Sequence, residues 1–325
     1  MSLIIEALQS VVVLLIIMIV GFLLMRLNLV TDYFSMDVSK VITVISLPAI
    51  IFYSVLTNIS QNGLLTLFQK VLVPIAATLL NYLVSWLLAR LPLFEEGDRG
   101  VFINASVNPN TTFIGLAINN ILFGQAGLAS FLVYFLTNNV SIWAFGQYFI
   151  EPRKQDADHK RKIEKFNLLA LLKSPPLLAF LVSFVVVALG LSMPLFVMNT
   201  TQLLGALVTP LALLYSGMML YSAGLLKSLQ LNKVKVLGII GRFILGPLLM
   251  YVTIIATKHL FPGLVTSMDS QVWLVQSATP TMAILPVLAA QKGANTKLGN
   301  DLVVLTTVLF ILVLPIIYLI AKAVF

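Results

Sequence analysis

The chain has 325 residues, of which 59% are hydrophobic and 10% charged, and its mean hydropathy is +1.02. So few charges over so many long apolar runs exclude a soluble domain of this size, and we predict an all-α integral membrane protein. The formal net charge of +8 does not indicate nucleic-acid binding, because the basic residues lie in short segments between apolar runs.

Ten apolar runs of membrane-spanning length follow one another along the chain, five on each side of a charged segment. This divides the chain into a first half at residues 1–150, a cytoplasmic linker at 151–173 and a second half at 174–325. The first run has no basic residues before it, so it is predicted to be a span and not a cleavable signal peptide. The predicted spans cover residues 3–25, 38–56, 67–89, 101–122, 128–149, 175–191, 202–225, 236–257, 272–291 and 302–321.

The positions of lysine and arginine predict the orientation. If the linker is cytoplasmic, every basic residue except Lys70, Lys258 and Lys322 falls at the inner face. The opposite orientation would reverse this bias, against the rule that cytoplasmic loops are rich in lysine and arginine. We therefore predict that both termini lie outside.

Spans 4 and 9 carry helix-start signals in the middle of an apolar run. In NASVNPNTTFIGL, Asn108 is placed as an N-cap before Pro109, and in QSATPTMAILP, Thr279 stands before Pro280 in the same way. Each pattern predicts a helix that stops, crosses as extended chain and restarts; a proline kink in a continuous helix is the alternative. Two interrupted spans at corresponding positions of two half-sequences predict a transporter binding site.

The two halves also repeat other features in the same order. PAIIFYS, ending at Ser54 in span 2, and PLALLYS, ending at Ser216 in span 7, share the spacing of proline, tyrosine and serine. Because each half has an odd number of spans, the two copies lie upside down relative to each other, as in alternating-access carriers. Chance similarity between leucine-rich helices is the alternative.

The polar residues predicted at mid-membrane depth are neutral, whereas all acids lie in loops or at span ends. A buried carboxylate relay for protons is therefore not expected, but sodium held by carbonyl, amide and hydroxyl oxygens is an alternative coupling ion. Restarting half-helices offer a positive dipole end, which favours an anion. Hydrogen bonding between helices is the other reading of these side chains. The candidate substrate residues are Asn108, Asn110, Thr111, Asn138, Asn139, Gln276, Thr279 and Thr281.

Arg242 lies about one turn into predicted span 8. We predict that its side chain reaches the inner membrane face, as long basic side chains near span ends do. The alternative is that it attracts an anionic substrate at the cytoplasmic entrance, which makes Arg242 a further candidate for substrate binding.

The residue inventory argues against an enzyme. There is no cysteine, and His159 and His259 have no spacing that suggests a zinc site. No intramembrane acid or metal cluster is available for catalysis, so we expect no cofactor and no metal. A membrane sensor that keeps a carrier fold is a second hypothesis.

Several segments in order resemble one family. They are GFLLMRLNLV, LPAIIFYSVL, NTTFIGLAI, SPPLLAF, TPLALLYSGMML and ATPTMAILPVLA, and together they extend over nearly the whole chain. The chain resembles the auxin efflux carrier family of permeases, which includes the plant PIN auxin exporters and bacterial malate and malonate permeases. The short central loop is similar to that of the bacterial relatives.

The resemblance implies ten spans in two inverted halves, in a multi-pass protein of the cell inner (plasma) membrane. A scaffold would consist of spans 1, 2, 6 and 7, and a mobile crossover domain of spans 3–5 and 8–10, crossing at Pro109 and Pro280. It implies elevator-type motion, a homodimer in the lipid bilayer, and transport of a small organic anion, for which we expect a malate-like dicarboxylate that is either moved alone or exchanged for a monocarboxylate. Sodium-coupled symport is the alternative mechanism. By match, Asn108 falls where an asparagine of the family meets the carboxylate, Asn138 or Asn139 falls where span 5 lines the pocket, and Ser54 would face the site from the scaffold.

Overall fold

The computed structural model describes residues 2–60, 64–152 and 174–325. From residue 153 onwards the predicted linker lies outside the described residues. The described residues form helices and turns but no regular β-strand. The only β-type pairing among them is an isolated bridge between Pro109 and Thr281. The predicted all-α fold class is therefore confirmed.

The helices occur in the following order along the chain: α1 Ser2–Arg26, α2 Asp32–Asn58, α3 Leu64–Leu88, α4a Arg99–Val107, α4b Thr111–Leu122, α5 Gly124–Phe149, α6 Pro175–Ala188, α7 Leu195–Ser222, α8 Lys233–Leu260, α9a Ser267–Ser277, α9b Leu285–Gln291 and α10 Thr296–Val324. Among the described residues, six helices are long and apolar enough to cross a membrane, namely α2, α3, α5, α7, α8 and α10. The chain is therefore a multi-pass membrane protein.

Several helices are longer than predicted. The structure starts α2 at Asp32 and α7 at Leu195, whereas the predicted spans began at residues 38 and 202. Hydropathy detects only the apolar part of a helix, and polar first turns extend beyond it. Asp32, for example, lies in the first turn of α2, where a negative charge is favoured by the helix dipole.

Among the described residues, four helices contain a π turn, which is wider than an α-helical turn. These turns are Ile42–Ser46 in α2, Thr111–Gly115 at the start of α4b, Ile142–Gly146 in α5 and Gly241–Leu245 in α8. Such turns occur frequently at functional sites. Three of them contain or directly adjoin residues of the site described below.

The helices pack in two groups. In the first, α1 packs along α7, and α2 packs against α6 and the first half of α7. In the second, α3 packs against α4a, α5 and α8, while α9a packs against α5, α8 and α10. The two groups meet where α7 contacts α4b and where α1 contacts α10.

Glycines bring α1 and α7 into backbone contact. A Cβ at Gly21 would overlap the carbonyl group of Leu214, and one at Gly217 would overlap the carbonyl group of Met18. Small residues permit this close approach, which stabilises helix pairs where lipid removes most of the hydrophobic driving force.

Candidate functional site

Two helices are broken in the middle of the second group. The first interruption separates α4a, which ends at Val107, from α4b, which begins at Thr111. The second separates α9a, which ends at Ser277, from α9b, which begins at Leu285. The structure therefore shows two chain breaks and not two kinked continuous helices.

The two extended segments cross and pair with each other. The backbone N–H of Asn110 donates to the carbonyl of Pro280 at 2.7 Å, and that of Met282 donates to the carbonyl of Asn108 at 2.9 Å. These are the bonds of a short antiparallel bridge. Non-helical backbone in a membrane must find such partners inside the protein, because lipid offers none.

The predicted restart points are wrong. The N-cap of α4b is Asn110 and not Asn108: its Oδ1 accepts a bond from the N–H of Phe113 at 3.2 Å. The second restart is later still, because α9b begins at Leu285 and not directly after Thr279. The hydroxyl of Thr279 instead donates to the carbonyl of Gln276 in the last turn of α9a at 2.9 Å.

Asn108 is the centre of a closed hydrogen-bond network. Its Nδ2 donates to Asn104 Oδ1 and to the hydroxyl of Tyr82, both at 2.9 Å. Its Oδ1 accepts from the hydroxyls of Ser141 at 2.9 Å and Tyr82 at 3.1 Å. The side chain is fully buried. Asn108 therefore supports the crossing backbone in this conformation.

Residues of α5 and α10 hold the crossing from the outside. Asn138 on α5 donates from Nδ2 to the carbonyl of Pro109 and to Oγ1 of Thr111, both at 2.9 Å. On α10, Thr306 Oγ1 accepts from the backbone N–H of Thr281 at 3.1 Å. Thus α5 contacts the first crossing segment and α10 contacts the second.

The remaining neutral candidates lie in different surroundings. Gln276 is buried and donates from Nε2 to the carbonyl of Gly115 in α4b at 3.0 Å. Asn139 is half-buried and donates to the carbonyl of Phe135 in its own helix at 2.9 Å. Ser54 is buried on α2. Among the described residues, no hydrogen bond joins Asn139 or Ser54 to the crossing.

The predicted position of Arg242 at the membrane face is wrong. Its side chain is 1% exposed, and its Nη2 donates to the carbonyl of Ser277 at the end of α9a. The reason is depth: α8 begins at Lys233, so Arg242 lies more than two turns, roughly 13 Å, along the helix. The predicted span began only at residue 236, after the basic first turn of α8, so the prediction underestimated the distance of Arg242 from the start of the helix.

Sequence reasoning did not single out Tyr82, Ser141 or Ser216 as residues of the site. Tyr82 and Ser141 complete the Asn108 network, and Ser216 on α7 lines a cavity of about 10 Å³ together with Asn110 and Thr307. That space is about enough for one water molecule. The repeated PxxxxYS pattern could have pointed to Ser216, whereas no sequence signal marks Tyr82 among nine tyrosines.

The first turn of α4b faces α7 across this cavity. The rings of Phe113 and Tyr215 are 4.5 Å apart between centroids, and Asn110 and Ser216 both line the cavity. The arrangement combines a helix amino end with neutral polar side chains at the boundary between the two helix groups. Such an end attracts negative charge.

A comparison with protein families gives a match over most of the chain. The family described as membrane transport protein, which is the auxin efflux carrier family, matches residues 6–318. A search of curated proteins finds no match. The family match covers nearly the whole chain and confirms the resemblance drawn from the sequence motifs.

Proposed function

Because the chain belongs to the auxin efflux carrier family of membrane transport proteins, we propose that it is a secondary carrier of small organic carboxylates. The preferred substrate is a malate-like dicarboxylate, exchanged for a monocarboxylate or moved alone. The observation that carries this proposal is the amino end of α4b, which opens onto neutral polar groups at the boundary between two helix groups.

The charge of the site favours an anion. The first N–H groups of a helix and its dipole attract negative charge, and the side chains at this end are neutral. Asn110 and Thr307 from the second helix group and Ser216 from the first line the cavity and offer amide and hydroxyl groups to a carboxylate. We place Asn110 in direct contact with the substrate.

The other predicted residues have supporting roles in this proposal. The crossing is held in place by Asn108, Thr111, Asn138, Thr279 and Thr281, and Gln276 fixes α9a to α4b. Asn139 and Ser54 would join the site only after the two helix groups move relative to each other. Pro109 and Pro280 keep the crossing segments extended.

The packing supports an elevator architecture. The first helix group corresponds to a scaffold and the second to a mobile crossover domain, in a ten-span protein of two inverted halves. The distribution of basic residues supports termini outside the inner (plasma) membrane. We further propose that the functional unit is a homodimer, formed through the scaffold.

Counterflow in proteoliposomes tests the substrate class. Vesicles loaded with unlabelled malate receive labelled malate outside, with malonate and lactate as competitors. We expect transient accumulation of label that lactate reduces. Absence of accumulation with each of these three acids would remove the substrate assignment and favour a carrier-fold sensor. Accumulation that requires sodium would favour the sodium-coupled symporter.

A further inference from the structure

Arg242 is a buried cation whose charge is not balanced by a carboxylate. Only 1% of the residue is exposed, and among the described ion pairs none involves it. Its Nη2 donates to the carbonyl of Ser277, whereas Nε and Nη1 have no hydrogen-bond partner. The side chain of Tyr134 on α5 lies within hydrogen-bonding reach of the guanidinium. Since an unbalanced buried ion is strongly unfavourable, another source of negative potential must act on it.

Two helix carboxyl ends supply that potential. Ser277 is the last residue of α9a, and the carbonyl of Ser106, in the last turn of α4a, accepts from Asn81 Nδ2 at 3.3 Å. A Cβ on Gly246 would lie 3.0 Å from Arg242 Nη2 and 3.3 Å from the Ser277 oxygen. The same Cβ would lie 3.5 Å from Asn81 Nδ2. The side chains of Arg242 and Asn81, each of which donates to a carbonyl at a helix end, therefore lie close to the same point beside Gly246. Each helix end carries about half a negative charge, and two ends offset about one cation.

The two halves of the chain use the same position differently. Ser106 precedes Pro109 by three residues, and Ser277 precedes Pro280 by three residues. The first carbonyl is bound by a neutral amide from α3, and the second by a guanidinium from α8. Only one of the two equivalent positions therefore carries a charge.

We infer that Arg242 is a built-in counter-cation that takes the place of a bound metal cation between these helix ends. Carbonyl groups at half-helix carboxyl ends coordinate the coupling sodium in other carriers with broken helices. In this chain the guanidinium donates to such a carbonyl, so the carrier needs no sodium. The inference rests on the proposed function only in its statement about coupling; the charge balance is a property of the folded protein.

Thermal unfolding of the purified protein in detergent tests the charge balance without transport. The native protein and Arg242→Ala are compared in sodium chloride, choline chloride and ethylguanidinium chloride at equal ionic strength. Arg242→Ala is expected to unfold several degrees below the native protein in choline. Sodium or ethylguanidinium, but not choline, is expected to restore part of that difference. The native protein should unfold at the same temperature in sodium and choline.

Two variants are matched controls. Arg26→Ala removes an exposed arginine and should show no selective response to sodium or ethylguanidinium. Asn81→Ala removes the neutral mirror-related donor and should show no rescue by ethylguanidinium. An Arg242→Ala protein that matches native stability, or one that folds but does not distinguish sodium or ethylguanidinium from choline, would overturn the inference. So would stabilisation of the native protein by sodium over choline.

If Arg242→Ala does not fold, Arg242→Lys and Arg242→Met decide the question. A counter-cation role predicts folded protein for lysine, which keeps the charge, and little folded protein for methionine, which keeps the volume. Equal recovery of the two variants without added cation would contradict it. In counterflow, the native protein is expected to transport malate at equal rates in sodium and in choline. If malate accumulates in neither salt, the result counts against the proposed substrate and not against the charge balance at Arg242.

Discussion

Asn110 is both the cap of α4b and the proposed substrate contact, and a change of charge separates the two roles. Aspartate caps a helix about as well as asparagine, and its charge is favoured at an amino end by about 0.3–1 kcal/mol. Asn110 is buried, so desolvation of the new carboxylate opposes this gain, and we expect Asn110→Asp to fold with an unfolding temperature at or below the native value. A carboxylate beside an anionic substrate should reduce the counterflow rate more than about tenfold.

Asn110→Ser provides the control for this experiment, because serine also caps a helix and adds no charge. It should keep most of the transport that Asn110→Asp loses. If Asn110→Asp transports malate at the native rate, the anion does not bind at this end of α4b.

Asn108 bears on stability as well as on transport. Asn108→Ala leaves Asn104 Oδ1 without its donor and removes hydrogen bonds from Tyr82 and Ser141, which keep their bonds to each other; this should cost about 1–3 kcal/mol in the free energy of unfolding. Because the network fixes the crossing, transport should be lost in the protein that remains folded. Tyr82→Phe, which removes one hydroxyl, should have the smaller effect on both unfolding temperature and counterflow. Native values for Asn108→Ala would contradict this role.

The chemical nature of these residues was predictable, but their partners were not. Neutral amides and hydroxyls beside Pro109 and Pro280 were visible in the sequence, since each interrupts an apolar run. The orientation of each amide side chain depends on hydrogen-bond partners that are distant in the sequence, such as Ser141 on α5, which donates to Asn108. The depth of Arg242 also depended on tertiary structure, because the facing helix ends that stabilise its charge come from two other parts of the chain.

At the scale of elements, the sequence predicted where helices stop better than where they restart. Proline cannot donate a backbone hydrogen bond, so Pro109 and Pro280 locate the interruptions directly. The restart depends on how many residues pair with the other crossing segment. That pairing uses Asn110 and Met282, and it displaces the start of each second half-helix.

The start of α9a is fixed to two other helices through Asp269. Its carboxylate is 2.6 Å from Lys70 Nζ on α3, and it accepts from Ser130 on α5 at 2.7 Å and from the backbone and side chain of Thr266. Burial opposes ionisation, but the hydrogen bonds from Lys70, Ser130 and Thr266 outweigh it and lower the pKa of Asp269. The ionised carboxylate therefore ties three helices together, ahead of the predicted span that begins at Val272.

Asp269→Asn should destabilise the protein by about 3 kcal/mol, as expected when one partner of a buried ion pair is removed. A lowered pKa gives stability that is fully present above the unfolded-state pKa of about 3.9 and is lost as the pH falls through the folded-state value. The native protein should lose this stability below about pH 4, and the variant should lack that step. Unfolding temperatures from pH 3 to 7 check both statements. A native-like acid profile in Asp269→Asn would assign the acid loss to other groups.

For the whole molecule, the proposed elevator motion requires the two helix groups to slide past each other. Their boundary includes a direct contact between α4b and α7, where Asn120 Nδ2 donates to Thr209 Oγ1 at 3.0 Å. The chain has no cysteine, so a pair introduced at these two positions would react only with each other. We expect that oxidation of Asn120→Cys/Thr209→Cys, or cross-linking with a short thiol reagent, abolishes malate counterflow, and that reduction restores it.

The matched control is a cross-link within the first helix group. Ser222 on α7 donates to Asp32 on α2 at 2.7 Å, so Ser222→Cys/Asp32→Cys gives a pair of similar proximity. Because α2 and α7 belong to the same group, this cross-link should leave transport unchanged. The comparison separates relative motion from a general loss of flexibility. If the Asn120/Thr209 cross-link forms completely and counterflow continues at the native rate, the two groups do not move at this boundary, and alternating access must arise from motion within one group.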